Sequence, residues 1–152
     1  MQTASTGDEQ GIEQAARGLL SGIGRLSRLL FRTGDFGLPR SSATALDALE
    51  EGPRRVSELT SHTGLTQPRV TTVLKELETR GLVERRSCAR DGRATEAHIT
   101  PLGRELLEQG RRRMAAALLQ GLHTHAENPE HTVAVAREAV STLLTSLESE
   151  AS

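Results

Sequence analysis

Aromatic side chains are almost absent from this chain: its 152 residues include no Trp, no Tyr and only two Phe, Phe31 and Phe36. A core without aromatic rings must be built from Leu, Val, Ile and Ala, and the hydrophobic content of 36% is sufficient for one. Leu and Ala are among the strongest helix formers. The composition therefore favours a mainly helical protein with a small aliphatic core.

Cysteine and long apolar runs are also scarce. The only cysteine, Cys88, excludes a disulfide within the chain. No run of about 18 apolar residues occurs, as a membrane-spanning helix would need. The opening residues MQTASTGDEQ lack the basic-then-apolar order of a secretory signal. We therefore expect a cytoplasmic protein without a membrane partner.

Residue patterns for catalysis or metal binding are missing as well. No nucleophile elbow, phosphate-binding glycine loop or set of metal ligands occurs at working spacing, so we expect no enzyme, no metal and no cofactor. His123 and His125 are two residues apart and would point to different sides of a helix. These two and His131, His62 and His98 are interpreted as structural or surface residues.

The charge distribution is uneven, although the net charge of the chain is only −1. Seven basic side chains against four acidic ones give the segment from Pro68 to Arg93 a net charge of +3. A basic region on an otherwise acidic molecule favours an oriented approach to DNA.

A helix followed by a hairpin is predicted within that basic segment. Thr66 is a suitable N-cap, Pro68 fits the first turn, and Gly81 fits the position just after a helix that ends at about Arg80. Apolar residues follow the helical period at Val70, Val73, Leu74 and Leu77. The opposite face carries Pro68, Arg69, Thr71, Thr72, Lys75 and Glu76, which include side chains suited to phosphates and base edges.

The flanking segments complete a known arrangement. Residues 56–64 predict a short helix ending at Gly64, so that two helices joined by a short turn make a helix-turn-helix. Residues 82–87 and 94–99 flank the Asp-Gly turn in CARDGR and predict a hairpin, the wing.

Motifs along this region resemble those of the MarR family of winged-helix transcription regulators, and the resemblance extends over nearly the whole chain. The residues that carry it are Gly64, Thr66-Gln67-Pro68, Leu74, Leu77, Arg80-Gly81-Leu82-Val83, Arg85-Arg86, Asp91-Gly92-Arg93 and Thr100-Pro101-Leu102-Gly103. The resemblance implies a homodimer with interleaved terminal helices, and a cleft for a small-molecule effector. It also implies that Arg93 enters the minor groove while Asp91 braces the wing against Arg85 or Arg86.

Helices are predicted on both sides of the winged region. Apolar residues recur at helical spacing from Ile12 to about Arg32 and again within residues 41–53, where a short helix is expected. A long helix is predicted from Pro101, and a last helix is predicted after its N-cap, Asn128. The inward residues predicted for the long helix are Leu102, Leu106, Met114, Leu118 and Leu122. We expect a flexible N-terminus over residues 1–11, a helical dimerisation region over 12–34 and 101–148, and a winged helix-turn-helix domain over 38–100. Because the terminal helices are too few to enclose their own core, we expect a two-fold homodimer.

The candidate DNA-binding residues lie on the second helix of the motif and on the wing. They are Gln67, Pro68, Arg69, Thr71, Thr72, Lys75, Arg86, Arg90 and Arg93. Of these, Gln67, Arg69, Thr71 and Thr72 are expected near base edges, and Lys75 and Arg86 near phosphates. Cys88 is a candidate redox residue because basic neighbours lower a thiol pKa. The redox-sensing branch of the family carries its cysteine in the first helix, however, so we expect an ordinary hairpin residue.

The sequence thus predicts a repressor that binds a pseudo-palindromic operator in double-stranded DNA as a homodimer and is released by an unidentified small molecule. The alternative is a winged-helix protein-interaction module whose basic face meets an acidic protein. Strong salt dependence of binding to a specific duplex distinguishes the two.

Overall fold

The computed structural model describes residues 4–88 and 92–151, and within that part of the chain it is mainly helical with one two-stranded hairpin. The elements are, in order, α1 (Ala4–Gly34), α2 (Arg40–Glu50), α3 (Val56–Thr63), α4 (Gln67–Thr79), β1 (Val83–Ser87), β2 (Thr95–Ile99), α5 (Pro101–His125) and α6 (Pro129–Glu150). This order confirms the predicted fold class, a winged helix-turn-helix with additional helices.

The core lies among α2, α3, α4 and the hairpin. Its fully buried side chains are mostly aliphatic: Leu46, Leu49, Leu59, Val70, Val73, Leu74, Leu77 and Val83. Burying each Leu or Val contributes about 1.5–3 kcal/mol relative to leaving it in water. The four apolar residues predicted to face inward from α4 are all among them. The helical spacing in the sequence therefore identified the buried side of α4 correctly.

Local interactions define both ends of α4. At its start the Thr66 hydroxyl oxygen accepts a hydrogen bond from the Arg69 backbone N–H at 3.4 Å. At its end the Leu82 N–H donates to the Leu77 carbonyl at 2.9 Å and the Gly81 N–H to the Glu78 carbonyl at 3.0 Å. Gly81 has a φ of 73°, the left-handed conformation that this ending requires. The two ends fix the direction in which the chain enters the wing.

The wing is an antiparallel pair in which Val83 faces Ile99 and Ser87 faces Thr95. A further bridge joins Arg54 to Ala97, with backbone N–H···O distances of 3.1 and 2.8 Å. No sequence pattern predicted this bridge, because a single residue beside Pro53 carries no strand periodicity. It anchors the second strand to the connection between α2 and α3.

Two sequence-based expectations for the long helices need correction. Helix α1 begins at Ala4 rather than Ile12, so residues 4–11, expected to be flexible, are helical. They contain Gln and Glu, which tolerate an exposed helix. In α5, Leu106 and Met114 pack against the core as predicted, but Leu102 and Leu118 are 53% and 39% exposed. The fully buried residues of α5 are Gly103, Leu107 and Gly110. Glycines there allow close approach: a Cβ on Gly110 would overlap the Phe36 ring.

The chain divides into two compact units, one through Met114 and one from Ala115. The first contains the core. In the second, α6 has no buried residue, and its apolar side chains Val133, Val135, Val140, Leu143, Leu144 and Leu147 are exposed. Across the described residues, no helix has both the length and the hydrophobicity to cross a membrane.

Candidate nucleic-acid interface

Helix α4 presents a polar face to solvent on the side opposite the core. The exposed residues include Gln67, Pro68, Arg69, Thr71, Thr72 and Lys75. All six were predicted as DNA-contacting from the sequence. The helix is thus held by its apolar side, and its polar side is accessible over nearly its full length.

The two threonines of this face are ordered by the helix itself. The Thr71 hydroxyl donates to the Gln67 carbonyl and the Thr72 hydroxyl to the Pro68 carbonyl, each at 3.0 Å. A hydroxyl that donates in this way still has acceptor lone pairs. The threonines therefore present acceptor oxygens and methyl groups to the outside, which suit amino groups and thymine methyls on base edges.

Arg69 is oriented by a contact with another helix. Its guanidinium donates to the Ser41 hydroxyl oxygen of α2 at 3.1 Å. Because the partner is neutral, the positive charge of Arg69 is not cancelled by it. Four further N–H donors of a guanidinium remain available for a ligand.

The wing arginines are arranged differently, because two of them are paired with carboxylates. Arg85 Nε lies 3.1 Å from Glu78 Oε2 of α4, and an Arg86 terminal nitrogen lies 2.7 Å from Glu84 Oε2. Arg85 therefore braces the base of the wing against α4. This pairing was not visible in the sequence, because it depends on how the hairpin packs on the helix.

The remaining wing residues are only partly described. Arg93 follows Gly92 at the end of the turn and is exposed. The predicted DNA contact of Arg90 and the predicted bracing of the wing by Asp91 fall on positions outside the described residues.

Cys88 is buried, with 6% of its surface exposed, and an Arg55 guanidinium nitrogen lies 3.3 Å from its sulfur. Reactive cysteines are partially exposed as a rule. The buried position of Cys88 is that of a side chain that fills space in the core. That Cys88 has no redox role stays a prediction.

A cavity of about 440 Å³ lies beside the winged region. Its wall is formed by α1, α2, Phe36 and the first half of α5, and its mainly apolar lining includes Ile23, Leu26, Leu30, Phe31, Phe36, Leu107 and Met114. Both phenylalanines of the chain are present, with stacked rings whose centroids are 5.4 Å apart. The family resemblance implied an effector cleft without naming its residues, and nothing in the sequence pattern placed Phe36 there.

Charged groups line one side of this cavity. Arg111 of α5 pairs with Asp47 and Glu50 of α2, the latter at 2.7 Å. Partial burial lowers the pKa of the Arg111 guanidinium, but the hydrogen bonds and charges of the two carboxylates outweigh this and raise that pKa above its ordinary value. These contacts join α5 to α2.

Comparison with known proteins identifies the fold and its family. A model of the MarR family matches residues 36–94, which include the helix-turn-helix and the first part of the wing. This winged region of the chain, residues 36–94, matches the MarR family. The match ends at Ala94, and the structural similarity described next extends further in both directions.

Several solved structures share the arrangement of this chain. The transcriptional regulator Tm0710 from Thermotoga maritima is 23% identical, with a TM-score of 0.68, and the similarity covers 92% of this chain and 98% of that one. The transcriptional regulator BldR from Sulfolobus solfataricus is 25% identical, with a TM-score of 0.56, covering 93% and 99%. A mutant of MepR from S. aureus, solved bound to an oligodeoxyribonucleotide, is 19% identical, with a TM-score of 0.61, covering 87% and 97%. No protein with a curated description matches the chain significantly.

Proposed function

We propose that this chain is a MarR-family, sequence-specific DNA-binding transcriptional repressor, not an enzyme, and that it binds a pseudo-palindromic operator as a homodimer. The observation that carries the proposal is the exposed polar face of α4 beside an exposed wing. A helix enters the major groove with such a face, and a wing reaches the neighbouring backbone or minor groove. The MepR mutant, which shares the fold, was solved bound to an oligodeoxyribonucleotide, and this supports DNA as the ligand.

The electrostatics of the surface fit DNA better than an acidic protein partner. Arg69 has a neutral partner, Ser41, and the exposed Lys75 forms no ion pair in the described residues. Arg85 and Arg86 are each paired with a carboxylate. With few uncompensated cations, this surface binds DNA phosphates only weakly. Much of the affinity must therefore come from contacts of α4 with base edges, which depend on the DNA sequence. A protein-interaction module without specific DNA binding is therefore the second candidate function.

The partner that we propose for the terminal helices is a second copy of the chain. Apolar side chains of α1 are exposed at Ile12, Leu19, Leu20, Ile23, Leu26 and Leu29, and those of α6 are exposed along its length. So many exposed apolar side chains along one helix mark an interaction site on that helix. A two-fold dimer covers the same faces in both copies, and it also supplies two DNA-reading helices for a two-fold operator.

We further propose that the cavity beside Phe36 receives a small-molecule effector that releases the DNA. Its volume of about 440 Å³ lies within the range of about 300–1,000 Å³ typical of ligand sites, and its apolar lining with a few polar groups is also typical. The structure supports an effector with a largely apolar body, and the compound itself is left open.

The test is selection of bound duplexes from a random pool, followed by footprinting on the selected sequence. We expect two protected major grooves on one face of the duplex, with half-sites centred roughly 10 bp apart. Affinity should fall with added salt, with a slope set by the number of uncompensated cations that contact phosphates. Enrichment of no sequence, together with equal weak affinity for all duplexes, would instead favour the protein-interaction module.

A further inference from the structure

The first turn of α2 contacts two neighbouring helices through consecutive residues. An Arg40 guanidinium nitrogen donates to the Ser27 hydroxyl oxygen of α1 at 2.6 Å. The next residue, Ser41, accepts from the Arg69 guanidinium of α4 at 3.1 Å. One helical turn thus lies between α1 and the helix proposed to read DNA.

The contact with Ser41 orders a side chain that is otherwise long and exposed. Arg69 is the third residue of α4, near the end expected to approach base edges. Fixing such a side chain on binding costs conformational entropy, and a contact that already fixes it in the unbound protein reduces that cost. The Ser41 hydroxyl does this without cancelling the charge of Arg69, unlike the carboxylates that pair with Arg85 and Arg86.

The position of Ser41 is tied to the cavity. Arg40, Ala43 and Thr44 of the same helix line the cavity, as does Ser27 on the opposite wall. The adjoining residue Ser42 is 2% exposed, so this turn is packed rather than frayed. The Arg40–Ser27 contact therefore spans part of the cavity wall and restrains the turn that carries Ser41.

We propose that Ser41 is a positioning residue for Arg69, and that the Arg40–Ser27 contact couples the cavity to the DNA-reading face through the first turn of α2. This inference rests on the proposed function. It adds a specific route by which the contents of the cavity alter DNA binding. A ligand that displaces Arg40 from Ser27 shifts the turn, and Arg69 loses its support.

The first test compares Ser41→Ala, Ser41→Thr and Arg69→Ala on the selected duplex. We expect Ser41→Ala to weaken binding about 3- to 10-fold with an unchanged salt slope, because no charge is removed. Arg69→Ala should weaken binding more and lower the salt slope by about 1 per subunit. Ser41→Thr keeps the hydroxyl and should bind as the parent does, and the double variant with both alanines should bind no worse than Arg69→Ala.

The matched control is Thr124→Ala in α5, because the Thr124 hydroxyl donates to the Gln120 carbonyl of its own helix and Thr124 does not line the cavity. It should bind DNA as the parent does. A readout without DNA is the 15N relaxation of the Arg69 side chain, which should become more mobile in Ser41→Ala and remain unchanged in Thr124→Ala. The melting temperatures of all these variants should agree, since the altered groups are exposed or only partly buried.

The second test removes the other end of the link with Ser27→Ala. We expect a loss of affinity comparable to that of Ser41→Ala, and a double variant, Ser27→Ala with Ser41→Ala, that is no weaker than Ser41→Ala alone. An additive effect, or none from Ser27→Ala, would overturn the coupling to the cavity. Parent-like binding and Arg69 mobility in Ser41→Ala, with Arg69→Ala impaired, would overturn the positioning role and leave the proposed function standing. A parent that prefers no duplex sequence would overturn both.

Discussion

Arg85 of β1 and Glu78 of α4 form an ion pair, with Nε and Oε2 3.1 Å apart, that joins the base of the wing to the helix proposed to read DNA. Both side chains are partly exposed, so the pair contributes only about 0.2–1 kcal/mol to stability. Its larger effect is on charge. While Glu78 holds it, the Arg85 guanidinium is compensated and offers little attraction to a phosphate.

Removing that carboxylate should make the protein bind DNA less selectively. We expect Glu78→Gln to raise the affinity for a random duplex and to increase the salt slope by about 1 per subunit, because Arg85 becomes available to phosphates. Titration of fluorescent duplexes at several salt concentrations measures both quantities. The control is Glu108→Gln, which removes an exposed pair with Arg112 on α5. Identical slopes for Glu78→Gln and the control would contradict the prediction.

The wing tip should contribute through the minor groove. We expect Arg93→Ala to weaken specific binding by about 1–3 kcal/mol per half-site and to lower the salt slope by about 1 per subunit. The preference for A·T pairs flanking each half-site should also decrease, because a narrow minor groove attracts a guanidinium. Arg112→Ala, an exposed arginine on α5, is the comparison. If both variants lose the same small amount of affinity and keep the flanking preference, Arg93 acts only through its general charge.

Dimer formation should depend on the apolar face of α6. We expect the double variant Leu144→Glu with Leu147→Glu to sediment as a monomer or to become insoluble, because each Leu loses the roughly 1.5–3 kcal/mol gained on burial against the second copy. Deletion from Asn128 onward should have the same result. The matched double variant Ser146→Glu with Ser149→Glu adds the same charges without removing apolar surface, and it should stay dimeric. A stable dimer of the leucine variant would refute the assignment of this face.

Gly110 of α5 should not be replaceable by a residue with a side chain, because α5 packs closely against Phe36 at this position. A Cβ there would overlap the Phe36 ring, so Gly110→Ala should lower the free energy of unfolding by about 1–3 kcal/mol despite the better helix propensity of Ala. Gly121 lies in the same helix and has no atom within 4 Å of the position its Cβ would take. Gly121→Ala should therefore stabilise by about 0.5–1 kcal/mol. Urea unfolding of both variants distinguishes the effects, and equal stabilisation would contradict the packing around Phe36.

The sequence by itself determined the local elements of the winged region. Thr66, Pro68 and Gly81 fix the ends of α4 through their own backbone preferences and a neighbouring hydrogen bond, and the spacing of Val70, Val73, Leu74 and Leu77 fixes its buried side. These are short-range effects, in which a residue and its neighbours within one or two turns decide the outcome. The exposed residues of α4 followed directly, because a helix with one side buried leaves the other accessible.

Only the tertiary structure decided which side chains meet across elements. The Arg69–Ser41 and Arg85–Glu78 contacts, the bridge from Arg54 to Ala97 and the place of Phe36 in the cavity join residues that are distant in the chain or have no periodic signal. In α5 the predicted inward residues Leu106 and Met114 do pack against the core, but the predicted Leu102 is exposed. Gly103 and Gly110 lie inward instead, because a glycine lets two elements approach more closely than any larger residue does. The spacing of hydrophobic residues does not predict such a close approach, because it ranks positions by apolar character and says nothing of how near a neighbouring side chain lies.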